Sequence, residues 1–167
     1  MPLLSQLAKT KKIKYFFRDV PKKAKILEVG CGDYWLGKYL KSHGWKNYQG
    51  LDLKPPADII GDITTWPKIG LKPNTFTVIV AFEVVEHVDC FQELWQLLKP
   101  DGHLFLTSPV PSMDWLCRIL ESVGLNQKRT SPHNHLINFK NIPLFVSLEV
   151  KTVGLIAQWG KFSKITK

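Results

Sequence analysis

The sequence predicts an α/β fold: a doubly wound, mostly parallel sheet with helices on both faces and an antiparallel strand near the C-terminus. Three observations lead there. Short apolar, strand-like runs alternate with amphipathic helical stretches along the chain, the pattern of strand–helix–strand crossovers. Residues 76–82 (Phe-Thr-Val-Ile-Val-Ala-Phe) form an almost unbroken apolar run, as expected of a central parallel strand covered on both faces. The 167 residues, 44% apolar and 22% charged, suffice for one core, and no repeat or long linker divides them.

Taken in order, residues 3–17 space Leu3, Leu4, Leu7, Ile13, Phe16 and Phe17 as an imperfect amphipathic helix. Packing against the domain is the expectation, and the interleaved lysines leave a membrane-surface role open. Residues 25–29 read as a buried strand ended by Gly30-Cys31-Gly32. Helical spacing of Leu36, Tyr39 and Leu40 follows over 35–41, closed at Gly44. Strands are expected over 48–53 and 57–60. After the central strand come a helix over 91–98, stopped by Pro100-Asp101-Gly102, and a strand over 103–107. Residues 112–123 read as helix. The tail, 148–166, carries two strands placed around Trp159-Gly160.

No apolar run approaches the roughly 20 residues of a membrane span. Cys31, Cys90 and Cys117 are odd in number and scattered, without a CxxC pair, so neither a disulfide framework nor a metal site is expected. The opening charges follow a short apolar stretch, the reverse of a secretory signal, and the reading is a cytoplasmic protein. A net charge of +9 favours anionic partners, whether phosphate, nucleic acid or acidic lipid, without choosing among them. Lysine runs near both ends also fit plain solubilisation.

Ligands of doubly wound sheets sit outside the carboxyl ends of the strands. The first such end is Glu28-Val29-Gly30-Cys31-Gly32-Asp33, whose glycines permit a tight turn and close ligand approach. A dinucleotide GxGxxG fails here, because its third glycine would fall on Trp35. Asp52, 24 residues after Glu28, closes the next strand, where a carboxylate can accept both hydroxyls of a ribose. Asp62, with Ile63 beside it, suits an exocyclic amine and a purine face, or else a helix N-cap before Thr64. Glu83, Glu86 and His87 follow the most buried strand. Acid–base work or a structural role, capping a helix and holding the pocket floor, both fit them.

In order, Ile26-Leu-Glu-Val-Gly-Cys-Gly32, Asp52, Gly61-Asp62, Phe82-Glu-Val-Val-Glu-His-Val88 and Leu98-Lys-Pro-Asp-Gly-His-Leu-Phe-Leu-Thr-Ser108 resemble the Rossmann-like, class I S-adenosylmethionine-dependent methyltransferases. The subgroup most similar in appearance is the small Glu-x-x-Glu-His one. The resemblance is strong over residues 24–109. It implies one domain, with a helical extension (1–23), a cofactor-binding core (24–109) and substrate-side helices and last strands (110–167).

It also implies S-adenosylmethionine as cofactor. Glu28, Gly30, Cys31 and Gly32 would hold its methionine part, Asp52 its ribose, Leu53 and Ile63 its adenine, Asp62 the adenine amine, and Phe82 and Glu83 the sulfonium side. Tyr34 stands where the family often has a third glycine, and Trp35 follows it. An aromatic there would narrow the cleft or wall it, since an aromatic face attracts a cation.

Transfer would be an in-line displacement to a small or lipid-linked, anionic acceptor. Glu83 and His87 are the candidates for a base, and Pro109, Trp115, His133 and His135 are the substrate-side candidates. A non-catalytic binding protein and an RNA methyltransferase are the alternatives.

Overall fold

The computed structural model describes residues 3–111, 137–154 and 156–165. A helix α1 (Leu3–Phe17) precedes strand β1 (Ile26–Val29), helix α2 (Trp35–Ser42) and strands β2 (Tyr48–Asp52) and β3 (Ile59–Ile60). A 3-10 segment (Ile63–Ile69) leads to β4 (Phe76–Phe82), α3 (Phe91–Leu97), β5 (Leu98–Pro109), β6 (Phe145–Val153) and β7 (Ala157–Lys164). The strands form one sheet in the order β3-β2-β1-β4-β5-β7-β6.

The first five strands pair in parallel. Strand β7 is antiparallel to both its neighbours, so β6 runs with the first five. From β1 the chain winds outward through β2 and β3, then returns to β4 on the other side of β1. The switch in winding direction therefore lies between β1 and β4, where Val29 pairs with Ala81.

Alternation along the strands divides the core in two. Ile26, Val78, Val80, Phe82 and Phe105 face α1 and α2, whereas Leu27, Val29, Ile79, Ala81, Leu104 and Leu106 face α3 and the 3-10 segment. Helix α1 is held by Phe16, whose ring lies 4.9 Å from Phe82, 5.3 Å from Phe105 and 5.8 Å from Trp159. Such aromatic contacts add about 1 kcal/mol per pair to area burial. Gly44, at φ 95°, turns the chain out of α2.

Three expectations need correcting. Strand β5 begins at Leu98, not at 103, because Leu98 pairs with Phe76 before an irregularity that lets Pro100 sit where no ladder donor is required. Strand β6 ends at Val153 and β7 begins at Ala157, with Gly154 at φ 59°, and Trp159-Gly160 lies inside β7. Gly160 is small because Phe162 and Phe139 occupy the space of its absent Cβ, at 2.4 and 3.0 Å. Over 63–69 only the helix N-cap alternative at Asp62 pointed to the 3-10 segment, which that cap does start. The helix expected over 112–123 lies outside the described residues.

Candidate cofactor site at the strand ends

The turn after β1 is tied to the end of β2 by its backbone. Gly30 N and Cys31 N donate to Leu51 O at 2.8 and 3.1 Å, and Gly32 N donates to Asp52 Oδ2 at 2.8 Å. Gly30 has φ 71°, and a Cβ there would lie 2.5 Å from Val84 Cγ2, so the β1 and β4 turns can approach only with glycine at that point. Gly32, at φ 52°, has open space where a Cβ would point. The second Asp52 oxygen has no partner among the described residues. Beyond it Leu53 is 71% exposed, an uncovered apolar side chain at the end of β2.

Asp62 caps the 3-10 segment: its Oδ1 accepts from Thr64 N at 2.9 Å and from Thr64 Oγ1 at 2.8 Å. Ile63 does not face the site. It is buried in the core on the α3 side, which its apolar side chain joins in preference to a strand-end surface. Cys31 is likewise buried, with Sγ 3.6 Å from Pro56 O, so only its backbone reaches the turn.

Glu28 lies in the interior, where its carboxyl accepts the Tyr48 hydroxyl. Burial pushes it up to about 8, against the lowering effects of Tyr48 and Lys12, so the acid is largely neutral at pH 7.

Tyr34 takes neither position expected for it. Held in the left-handed region (φ 61°), it turns its ring down between α2 and β2. A Cβ on Gly37 would lie 2.6 Å from its Cε1, and one on Gly50 would lie 2.8 Å from its Cε2. The hydroxyl bonds Asp58 and accepts from Lys41. Two glycines thus form a notch for this ring, which neither narrows nor walls the strand-end opening. Trp35 stays half-buried, with Lys9 Nζ 5.0 Å from its ring.

Beyond β4, Glu83 adopts φ 58°, and its backbone N donates to Thr107 O at 2.9 Å. Its Oε1 accepts from Thr107 Oγ1 at 2.7 Å and from Lys12 Nζ at 3.1 Å. Desolvation pushes this carboxyl up, but Lys12, Thr107 and Glu86 outweigh it and hold the group below the usual carboxylate range. Glu86 is buried, and its Oε2 has no hydrogen-bond partner among the described residues. Burial first, then the Glu83 charge, pushes it up to about 8. His87 sits half-buried in the turn, its N bonded to Val84 O at 2.8 Å.

Sequence reasoning missed two residues here. Lys9 and Lys12 lie on the α1 face that also carries Ile13 and Phe16, and they reach across the opening. Lys9 pairs with Asp33 at 3.3 Å, and Lys12 Nζ donates also to Thr107 Oγ1 at 3.1 Å and lies 4.9 Å from the Phe82 ring. The signal was their spacing of three on the inward stripe. Pro109 ends β5 beside this region, whereas Trp115, His133 and His135 lie outside the described residues. Hollows of 450 Å³ (Phe139, Ile142, Phe145, Phe162) and 310 Å³ (Trp66, Trp95) lie on the α3 side and contain none of these strand-end groups. Among the described residues no cluster of metal-ligating side chains occurs.

The chain belongs to the methyltransferase-domain family, whose pattern it matches over residues 5–145. No curated protein sequence matches it. Among solved structures it is similar to the PH0226 protein of Pyrococcus horikoshii, at 14% identity and TM-score 0.66, covering 96% of this chain and 91% of that one. A geranyl diphosphate methyltransferase solved with SAM superposes at TM-score 0.67 and 10% identity, covering 95% and 85%. An S-adenosylmethionine-dependent methyltransferase of Mesorhizobium loti gives 0.54 and 14%, covering 87% and 94%. At these identities the likeness is one of fold. It agrees with the class I methyltransferase architecture and with membership of an enzyme family.

Proposed function

We propose that this chain binds S-adenosylmethionine across the β1/β4 switch and transfers its methyl group to a small or lipid-linked, anionic acceptor. The observation that carries the reading is the tie between Gly32 and Asp52. It opens one face of the turn and aims a spare carboxylate oxygen at the end of β2, beside exposed Leu53. An open glycine turn for a backbone contact, a carboxylate for vicinal hydroxyls and an apolar shelf for a base are what an adenosyl group requires. Gly30, Gly32 and Asp52 would hold the cofactor, with Leu53 under its base and Phe82 and Glu83 near its charged end.

When bound, such a cofactor supplies a methyl carbon already activated by a sulfonium, so the protein's task is alignment. Glu83, held ionised with Oε1 engaged, is suited to neutralising positive charge and poorly suited to taking a proton. An acceptor that arrives protonated would depend on His87, or on His133 and His135. Helix α1 serves in this reading as part of the site rather than as an extension of the domain.

Calorimetric titration with S-adenosylmethionine, its demethylated product and NAD tests the cofactor, with Asp52→Ala as control. Binding of the first two, weakened in the variant, is expected. Binding of NAD alone, or affinity unchanged in Asp52→Ala, would overturn the reading. Labelled cofactor and cell extract, with products sorted into RNA, protein, lipid and small molecules, then identify the acceptor class. Label confined to RNA would replace the small or lipid-linked acceptor with the RNA alternative.

A further inference from the structure

The charge of this chain is unevenly placed. Residues 1–46 hold eleven lysines and arginines against three acids, whereas residues 47–167 hold twelve against eleven. Nearly the whole excess of +9 therefore falls on the stretch comprising α1, β1 and α2, and both helices lie on one side of the sheet.

Within α1 the two faces differ. The inward one carries Lys9, Lys12, Ile13 and Phe16, all engaged with the domain. The outward one reads Leu7, Lys11, Lys14 and Arg18 at spacings of four, three and four. Leu7 is 50% exposed. Lys11 and Lys14 are exposed and have no acidic partner among the described residues, and Arg18 has only its exposed neighbour Asp19, at 3.1 Å. Lys23, Lys38 and Lys46 of the same stretch are exposed as well.

We propose that the outer face of α1 docks this protein on an anionic lipid surface. Charge complementarity sets the kind of partner, since an uncompensated row of cations attracts phosphate-bearing polyanions. The leucine that heads the row favours a lipid surface over RNA. An exposed aliphatic side chain gains by entering the headgroup–acyl boundary, while recognition of unpaired bases relies on exposed aromatic faces, which this stripe lacks. Lys9 and Lys12 of the same helix lie across the strand-end opening, so docking through the outer face sets α1 between that opening and the bilayer.

The test is co-sedimentation of the full chain with vesicles of phosphatidylcholine alone and of phosphatidylcholine mixed with phosphatidylglycerol, at low and high salt. A single-stranded RNA oligonucleotide serves as competitor. Salt-sensitive binding to the mixed vesicles only is expected, weakened about fivefold by each of Lys11→Gln and Lys14→Gln and about thirtyfold by the pair. Leu7→Ser should weaken vesicle binding while leaving RNA binding unchanged. Circular dichroism confirms that the variants keep the fold. Absence of vesicle binding, vesicle binding indifferent to these substitutions, or displacement from vesicles by RNA with Leu7→Ser without effect each overturns the proposal. The readout does not depend on methyl transfer, so it stands or fails separately from the reading of the cofactor site.

Discussion

Lys12 Nζ of α1 lies 3.1 Å from Glu83 Oε1 beyond β4, an ion pair joining residues 71 positions apart across the strand-end opening. Glu83 is 45% exposed, so solvent screens the pair. Lys12→Ala is expected to cost about 1 kcal/mol, and Lys12→Ala with Glu83→Gln to cost less than the sum of the two. A double-mutant cycle by denaturant unfolding checks this coupling. Strict additivity would show that the pair contributes nothing.

The two oxygens of Asp52 have different duties, one accepting from Gly32 N and the other open. Asp52→Asn keeps an acceptor for Gly32 and removes the charge. Affinity for S-adenosylmethionine should fall about tenfold to a hundredfold, with thermal stability nearly unchanged. Titration calorimetry and a thermal melt separate the two effects.

Tyr34 is a structural plug in the notch between Gly37 and Gly50. Tyr34→Phe should cost about 1 kcal/mol through loss of the Asp58 and Lys41 bonds. Gly37→Ala, which sets a methyl 2.6 Å from the ring, should cost about 2 kcal/mol or more. Cofactor affinity should change little in Tyr34→Phe, and a loss comparable to that of Asp52→Asn would return the ring to the binding surface.

Glu28 and Glu86 both titrate near 8 in the folded chain, far above the ordinary glutamate value. Between those limits the folded state holds protons that the unfolded state has released, so these groups make stability fall as pH rises. Glu86→Gln should therefore gain about 2 kcal/mol relative to the parent above pH 8 and differ little near pH 5. Melting temperatures across that range decide it, and a constant difference at every pH would refute the protonated state.

Phe16 anchors α1 through Phe82, Phe105 and Trp159. Phe16→Ala should cost about 3 kcal/mol, and hydrogen exchange should speed up in α1 ahead of β4.

Much of the fold could be read from residue order alone. The bounds of α1 and of β4 agree with the periodicity, and the glycine turn and Asp52 fall where the strand ends predicted them. These features are local, since a run of apolar residues or a glycine pair acts through its own backbone. Less legible were the start of β5, which rests on one pairing with Phe76, and the β6–β7 turn, displaced because Gly160 makes room for rings rather than for a bend. Lys9 and Lys12 escaped notice as site residues because nothing in a helical pattern says which strand ends its inner face will meet.

From sequence alone came the alternating architecture, the methyltransferase resemblance and the expectation of a ligand site after the strands, because apolar periodicity and glycine act over a few residues. Only the folded chain decided that Glu28 is buried and largely protonated, that Ile63 belongs to the core, and that Tyr34 turns away from the opening. It also decided that the α1 lysines lie across that opening. Burial, and the charge states that follow from it, depend on neighbours tens of positions away, and only packing brings them together.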